Sequence, residues 1–182
     1  MDNGASSYHR FLEGDESGFD ELLDLYQDNL IFFINRFVHN LTVAEDLAED
    51  SFLELLIHKQ RFNFKTSLKT YLFTIGRNKA LNYLKHESKF RSVSLEDASR
   101  ELSDLTSLEE SVLSEERKRL VNSAINELKD DYRAVIHLVY FEDLSYEEAA
   151  RVLKKNKKQT ENLVCRARNA LRITLGKEGV EL

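Results

Sequence analysis

The sequence predicts an all-α protein: two small helical domains joined by a flexible linker, the second ending in a helix-turn-helix. Three observations point there. The 182-residue chain has no Pro and only six Gly, too few turn residues for a many-stranded β fold. Its apolar residues recur at steps of three and four over long stretches, the period of a helix face. Residues 145–176 read as a short helix, a tight polar turn and a longer basic helix, the layout of a helix-turn-helix.

The elements follow in order. Over residues 19–37, Phe19, Leu22, Leu23, Tyr26, Leu30, Phe33, Ile34 and Phe37 share one helix face. Thr42 with Glu45 reads as a capping box for a second helix reaching about Lys59. The stretch Arg61–Ser67 breaks the period, and a third helix runs from about Ser67 to His86. Its polar stripe is Thr74, Arg77, Asn78, Asn82 and Lys85. Residues 92–106 are Ser- and acid-rich with isolated Leu, too little apolar surface for a core, and read as a linker. The domains are therefore expected at 1–91 and 107–182.

Ser107 with Glu110 opens a helix to about Leu128. The run Ala134–Phe141 is apolar nearly all round and predicts a short buried helix. His137 within it reads as a core or edge histidine, because no second ligand cluster accompanies it. Ser145 and Glu148 cap a helix ending at Leu153. After the turn Lys154–Asn156, Asn156 and Gln159 cap the last helix, with Gly176 expected just past its end. On that helix Thr160, Val164, Ala167 and Leu171 step along the core side. Lys158, Asn162, Cys165, Arg166 and Asn169 then face outward, where Arg and Asn suit base edges and Lys suits phosphates.

The formal net charge of −6 hides a block pattern. Residues 1–58 carry a net −11, 59–91 a net +8, 92–116 a net −7, 117–148 a net −2 and 149–182 a net +6. Two basic blocks suit a polyanion; the acidic first block would repel one and suits a protein partner. The basic block 59–91 interleaves its cations with Phe62, Phe64, Tyr71, Phe73 and Tyr83, the combination that holds single-stranded nucleic acid. Phe62 and Phe64, in the loop, are the stacking candidates.

Other classes are disfavoured. There is no apolar run of about 18 residues and no basic flank before an apolar stretch at the N-terminus, so neither a membrane span nor a secretory signal is expected. The single cysteine, Cys165, excludes an internal disulfide framework and a multi-Cys zinc site and fits a reducing, cytoplasmic location. No phosphate loop, nucleophile–base set or metal-ligand spacing occurs. Neither an enzyme nor a cofactor or metal site is expected.

Three stretches, AEDLAEDSF (Ala44–Phe52), SLKTYLFTIGRNKALNYLK (Ser67–Lys85) and LSYEEAARVL…RARNALR (Leu144–Arg172), carry a resemblance. In this order and spacing, with an acidic linker between, the chain resembles the extracytoplasmic-function sigma factors, initiation subunits of bacterial RNA polymerase. The resemblance implies a factor that binds core polymerase and directs it to −10 and −35 promoter elements. Asp46, Glu49, Asp50 and Phe52 become contacts to the clamp helices of the largest subunit, with the flap as a second polymerase contact. Arg61, Phe62, Asn63, Phe64, Lys65 and Lys69 become −10 contacts, with Tyr71, Arg77, Asn78, Asn82 and Lys85 on the following helix. Lys157, Lys158, Gln159, Glu161, Asn162, Cys165 and Arg166 become the −35 reader. Tyr71 stands where the family commonly has Trp, Glu49 where it has Gln, and Lys154 where it has Gly.

The resemblance also implies an anti-sigma partner, and a short linker between two small domains predicts a free chain that is compact, autoinhibited or held by such a partner. Two other readings cover part of the sequence. A stand-alone helix-turn-helix regulator explains residues 144–175 but not the acidic-then-basic first domain. A sigma-like adaptor would bind polymerase without initiating.

Overall fold

A computed structural model describes residues 4–91 and 112–177 of the chain. Eight α-helices form two bundles: α1 (Ala5–Leu12), α2 (Ser17–Val38), α3 (Leu41–Ile57) and α4 (Leu68–Arg91), then α5 (Val112–Asn126), α6 (Asp130–Ile136), α7 (Tyr146–Leu153) and α8 (Lys157–Lys177). There is no strand among the described residues. The expected linker, 92–106, and the Ser107–Glu110 capping box lie outside the described residues.

The first bundle is organised by α2, which buries Leu22, Tyr26, Leu30, Phe33, Ile34 and Phe37 against α1, α3 and α4. Helix α2 ends at His39, whose φ of 53° lies in the left-handed region, a common way to close a helix. The chain turns so sharply there that the cap of α3 falls earlier than expected. Asn40, not Thr42, is the cap, its side chain accepting from the Val43 amide at 3.2 Å.

Helix α1 was not expected from the sequence. Only Tyr8, Phe11 and Leu12 give it an apolar side, and tertiary packing supplies the rest: Tyr8 is fully buried and its hydroxyl donates to the Lys59 carbonyl at 2.9 Å. Burial pushes the Tyr8 hydroxyl up to about 12. Gly18 permits the close approach of α1 to α2, since a Cβ there would stand 2.3 Å from the Ser7 carbonyl oxygen.

In the second bundle the run from Ala134 is buried as expected only to Leu138. Helix α6 widens into a π-helical turn over His137–Phe141, and this wider turn carries Tyr140 and Phe141 out to solvent, each 49 % exposed. Ser145 and Glu148 form the expected capping box on α7. Asn156 and Gln159 do the same at the start of α8, with reciprocal bonds of 2.8 and 2.9 Å. Gly176 does not end α8, which continues through it to Lys177.

One hydrophobic core runs through both bundles, from Tyr8 and Phe33 to Leu138, Val164 and Ala167. Helix α4 packs on α7, and α2 on α6. The packing is polar as well as apolar: Arg36 Nη1 donates to Asn126 Oδ1 at 2.7 Å, and Arg133 Nη2 lies 2.9 Å from His39 Nε2.

Candidate nucleic-acid and protein interfaces

Three surfaces hold the residues singled out by the sequence. The first is the outer face of α3. Asp46, Glu49 and Asp50 are exposed. Phe52 is not available as a contact, because it is 3 % exposed and packs edge-on against Phe19 with centroids 6.2 Å apart. The exposed apolar groups are Leu53, 51 % exposed, and Ile57, 67 % exposed. Steps of four, three and four from Asp46 through Asp50 and Leu53 to Ile57 put all four on one stripe. That spacing is present in the sequence, where Phe52 is the neighbour of Leu53.

The second surface is the loop after α3 with α4. Phe62, expected to stack on a base, is likewise taken up by the core: it is 5 % exposed, wedged between Tyr8, Phe64 and Tyr71 at centroid distances of 5.5, 4.7 and 5.3 Å. It cannot stack on a base without leaving the core. Phe64 is 44 % exposed and sits at a φ of 59°. The Asn63 side chain sets that turn by accepting from the Lys65 amide at 3.1 Å. Phe64 also leans on His9 of α1, so α1 supports the loop from beneath.

The expected −10 residues on α4 do not form one surface. At 100° per residue Tyr71, Asn78, Asn82 and Lys85 share a side, with Asn82 and Lys85 exposed and Tyr71 and Asn78 half-buried. Burial raises the Tyr71 hydroxyl above its ordinary range, and Glu54 adds to this. Lys69 and Arg77 lie on the side turned toward the second bundle. Lys69 pairs with Glu142 at 2.7 Å. Burial holds the Arg77 guanidinium below its usual range, against the pull of Asp131. Arg61 is exposed and only loosely paired with Glu54, at 3.9 Å.

The third surface is α8. Thr160, Val164 and Ala167 are buried and Leu171 half-buried, as the four-three-four spacing predicts. Lys158, Asn162, Arg166 and Asn169 are exposed. Lys157 is exposed too, but its Nζ donates to Glu147 at 2.6 Å, which raises it above the ordinary lysine range. The Gln159 side chain is spent on its capping bond. Glu161, Cys165 and Asn169 line a cleft of about 710 Å³ with Ile125, Tyr140, Phe141 and Tyr146, and Arg168 and Arg172 add charge to its wall. That apolar cleft was not foreseen, because it depends on the π-turn that exposes Tyr140 and Phe141. The turn into α8 is closed by Lys154 at a φ of 54°, with the Lys155 amide donating to the Ala150 carbonyl at 2.9 Å.

Residues 22–90 match the family described as Sigma-70 region 2, and residues 118–171 match Sigma-70, region 4. The chain is 31 % identical over 170 residues to the RNA polymerase sigma-H factor of Pseudomonas aeruginosa, covering 89 % of this chain and 88 % of that one. It is 26 % identical over 168 residues to the ECF RNA polymerase sigma factor SigW of Bacillus subtilis, covering 88 % and 90 %. Among solved structures, the sigma factor RpoE of Bartonella quintana, in complex with the anti-sigma factor NepR, superposes with a TM-score of 0.68 at 26 % identity, covering 87 % of this chain and 96 % of that one. CnrH, in complex with the cytosolic domain of CnrY, shares the fold with a TM-score of 0.65 at 22 % identity, covering 96 % of both chains. Two helical regions matched in order, with relatives aligned over nearly nine-tenths of the chain, place this protein in the sigma-70 family of RNA polymerase sigma factors, in its extracytoplasmic-function group.

Proposed function

We propose that this chain works as a non-catalytic, cytoplasmic initiation factor that docks on core RNA polymerase by the α3 stripe and carries it to a bipartite promoter. The observation that carries the reading is the separation of surfaces. An acidic and apolar stripe on α3 stands apart from a basic loop-and-helix surface and a basic recognition helix, all on one chain. A stand-alone regulator has no use for the first of these.

In this reading residues 1–91 form the polymerase-docking and −10 domain, 92–106 the linker and 107–182 the −35 domain. Asp46, Glu49, Asp50, Leu53 and Ile57 meet the clamp helices, the acids steering the encounter and the two apolar side chains anchoring it. Phe52 supports that face from within. Phe64 and Lys65, with Tyr71, Asn78, Asn82 and Lys85, hold the opened −10 strand by stacking and charge, while Phe62 fixes the loop. Lys69 and Arg77 are −10 contacts that become available when the second bundle moves off α4. On α8, Asn162 and Arg166 read base edges, and Lys158 neutralises phosphate. The apolar cleft beside α8 suits a polymerase helix such as the flap's. A protein anti-sigma partner is expected by analogy with the Bartonella factor solved with NepR.

Asp50→Arg tests the docking face. Capture of core polymerase should fall roughly tenfold or more, because a like charge is set at a complementary surface. Capture at the wild-type level would remove α3 from the interface.

A further inference from the structure

Helix α1 has no share in the docking, −10 or −35 surfaces, yet it is tied to the loop after α3 by several separate contacts. The Tyr8 hydroxyl donates to the Lys59 carbonyl at 2.9 Å, and the Lys59 ammonium stands over the Phe11 ring, 4.7 Å from its centroid. The Tyr8 ring meets Phe62 edge-on at 5.5 Å and Phe64 at 6.2 Å, and the His9 ring meets Phe64 at 5.7 Å. Helix α1 is itself anchored to α2, where Glu21 accepts from the Ser7 hydroxyl at 2.7 Å and pairs with Arg10.

This support is directed at Phe64. A bulky side chain at a φ of 59° is strained; such residues persist where their surroundings over-determine them and cluster where a ligand is clamped. Three rings hold Phe64 and leave 44 % of it exposed. Two of them, Tyr8 and Phe62, are buried, whereas the His9 side chain is 63 % exposed. The His9 and Phe64 rings are in contact at an angle of 43°, so together they form an open corner. Glu13 Oε1, 3.4 Å from His9 Nδ1, steadies the imidazole and leaves Nε2 as its remaining polar atom. An unstacked base needs this combination, a ring to lie on and a polar group beside its edge. Arg61 and Lys65, exposed on the same loop, supply charge for the flanking phosphates.

We propose that His9 is a further promoter contact: with Phe64 it forms the corner that receives one unstacked base of the opened −10 strand, and Tyr8 is the positioning residue that fixes the loop for it. This rests on the reading of the loop as a −10 contact. The base lies on the free side of Phe64 and turns its edge to His9. Stacking alone tolerates any sequence, because every base has a π-face. An imidazole at the base edge adds a hydrogen-bonding group, and with it a preference for one base.

The test uses the full chain assembled with core polymerase. The probe is a fork-junction DNA whose single-stranded −10 segment is randomised, and the bound molecules are sequenced. The wild type should enrich particular bases at the single-stranded positions. His9→Ala should lose the preference at one of them and bind the selected fork about fivefold more weakly, the low end of what a lost stacking contact costs. In a Phe64→Ala background His9→Ala should cost nothing further, because the two residues act as one corner. Tyr8→Phe keeps the ring and drops the hydrogen bond to Lys59; it should weaken binding of the fork and leave its base preferences as they were. His9→Ala that binds and selects like the wild type, or Tyr8→Phe that binds as tightly, overturns the proposal. So do losses from His9→Ala and Phe64→Ala that simply add, and a loss of polymerase capture by His9→Ala without DNA, which would make His9 a polymerase contact. A wild type that selects no base at any position would be seen in the unmutated protein, and it takes the −10 reading down together with the proposal.

Discussion

The surroundings of His137 favour its neutral form. Burial between Phe33 and Phe141 pushes its imidazole below the ordinary histidine range, and Arg36 and Lys69 push the same way. Glu142, 3.2 Å from Nε2, opposes this without reversing it. A folded value below the unfolded one means that the unfolded chain takes up a proton the folded chain refuses. Stability is therefore fully present above the unfolded value and falls as pH drops through about 6.5 toward the folded value. For Glu142 burial acts upward but is outweighed by its bonds to His137 and Lys69, so its contribution is lost only further down, below the ordinary carboxylate range. The melting temperature should fall between about pH 7.5 and 5.5, and His137→Gln should flatten that slope. A wild-type melting temperature independent of pH over this window would contradict the account of His137.

Lys154 carries a different strain. A side chain in the left-handed region costs on the order of 1 kcal/mol, which glycine avoids. Lys154→Gly should raise stability by about that amount in chemical denaturation, with no change in the slope. A loss of stability would show that the lysine stem contributes packing there.

At the scale of the element, α3 and α8 each divide their labour by face. Phe52→Ala empties a core site on α3 and should cost about 3–5 kcal/mol of folding stability. Leu53→Ser and Ile57→Ser should leave folding nearly unchanged and weaken polymerase capture. If the Phe52 variant folded normally and lost only polymerase, the two faces would be assigned the wrong way round. On α8, Arg166→Ala should cost about 1–3 kcal/mol on the preferred promoter and relax preference at one position, while Lys158→Ala should weaken all sequences alike and reduce the salt slope by about one. Equal and uniform losses from both variants across a promoter library would sink that division.

Elements with strong period and side-chain caps were legible in the sequence. Helix α2, the Ser145–Glu148 capping box and the inward face of α8 stand where the spacing put them. What escaped was set by contacts distant in sequence. Helix α1 has a narrow apolar side and owes its place to Tyr8 reaching Lys59. Phe52 and Phe62 look like surface aromatics until the bundle closes over them, because depth within a bundle has no local signature. The side of α4 that faces α7 could not be told from the side that faces solvent, since both carry cations.

For the whole molecule, the two regions meet through a continuous core with polar bridges, so the surfaces proposed to meet the promoter are displayed unequally. Lys158, Asn162 and Arg166 are open while Lys69 is engaged. The central claim, that this chain directs polymerase to start transcription, is tested most directly by reconstituting the purified protein with core RNA polymerase on fragmented genomic DNA and mapping transcript 5′ ends. The account predicts new start sites that share a −10 and a −35 element and vanish with Asp50→Arg. Polymerase binding without any chain-dependent start sites would contradict it and leave an adaptor in its place.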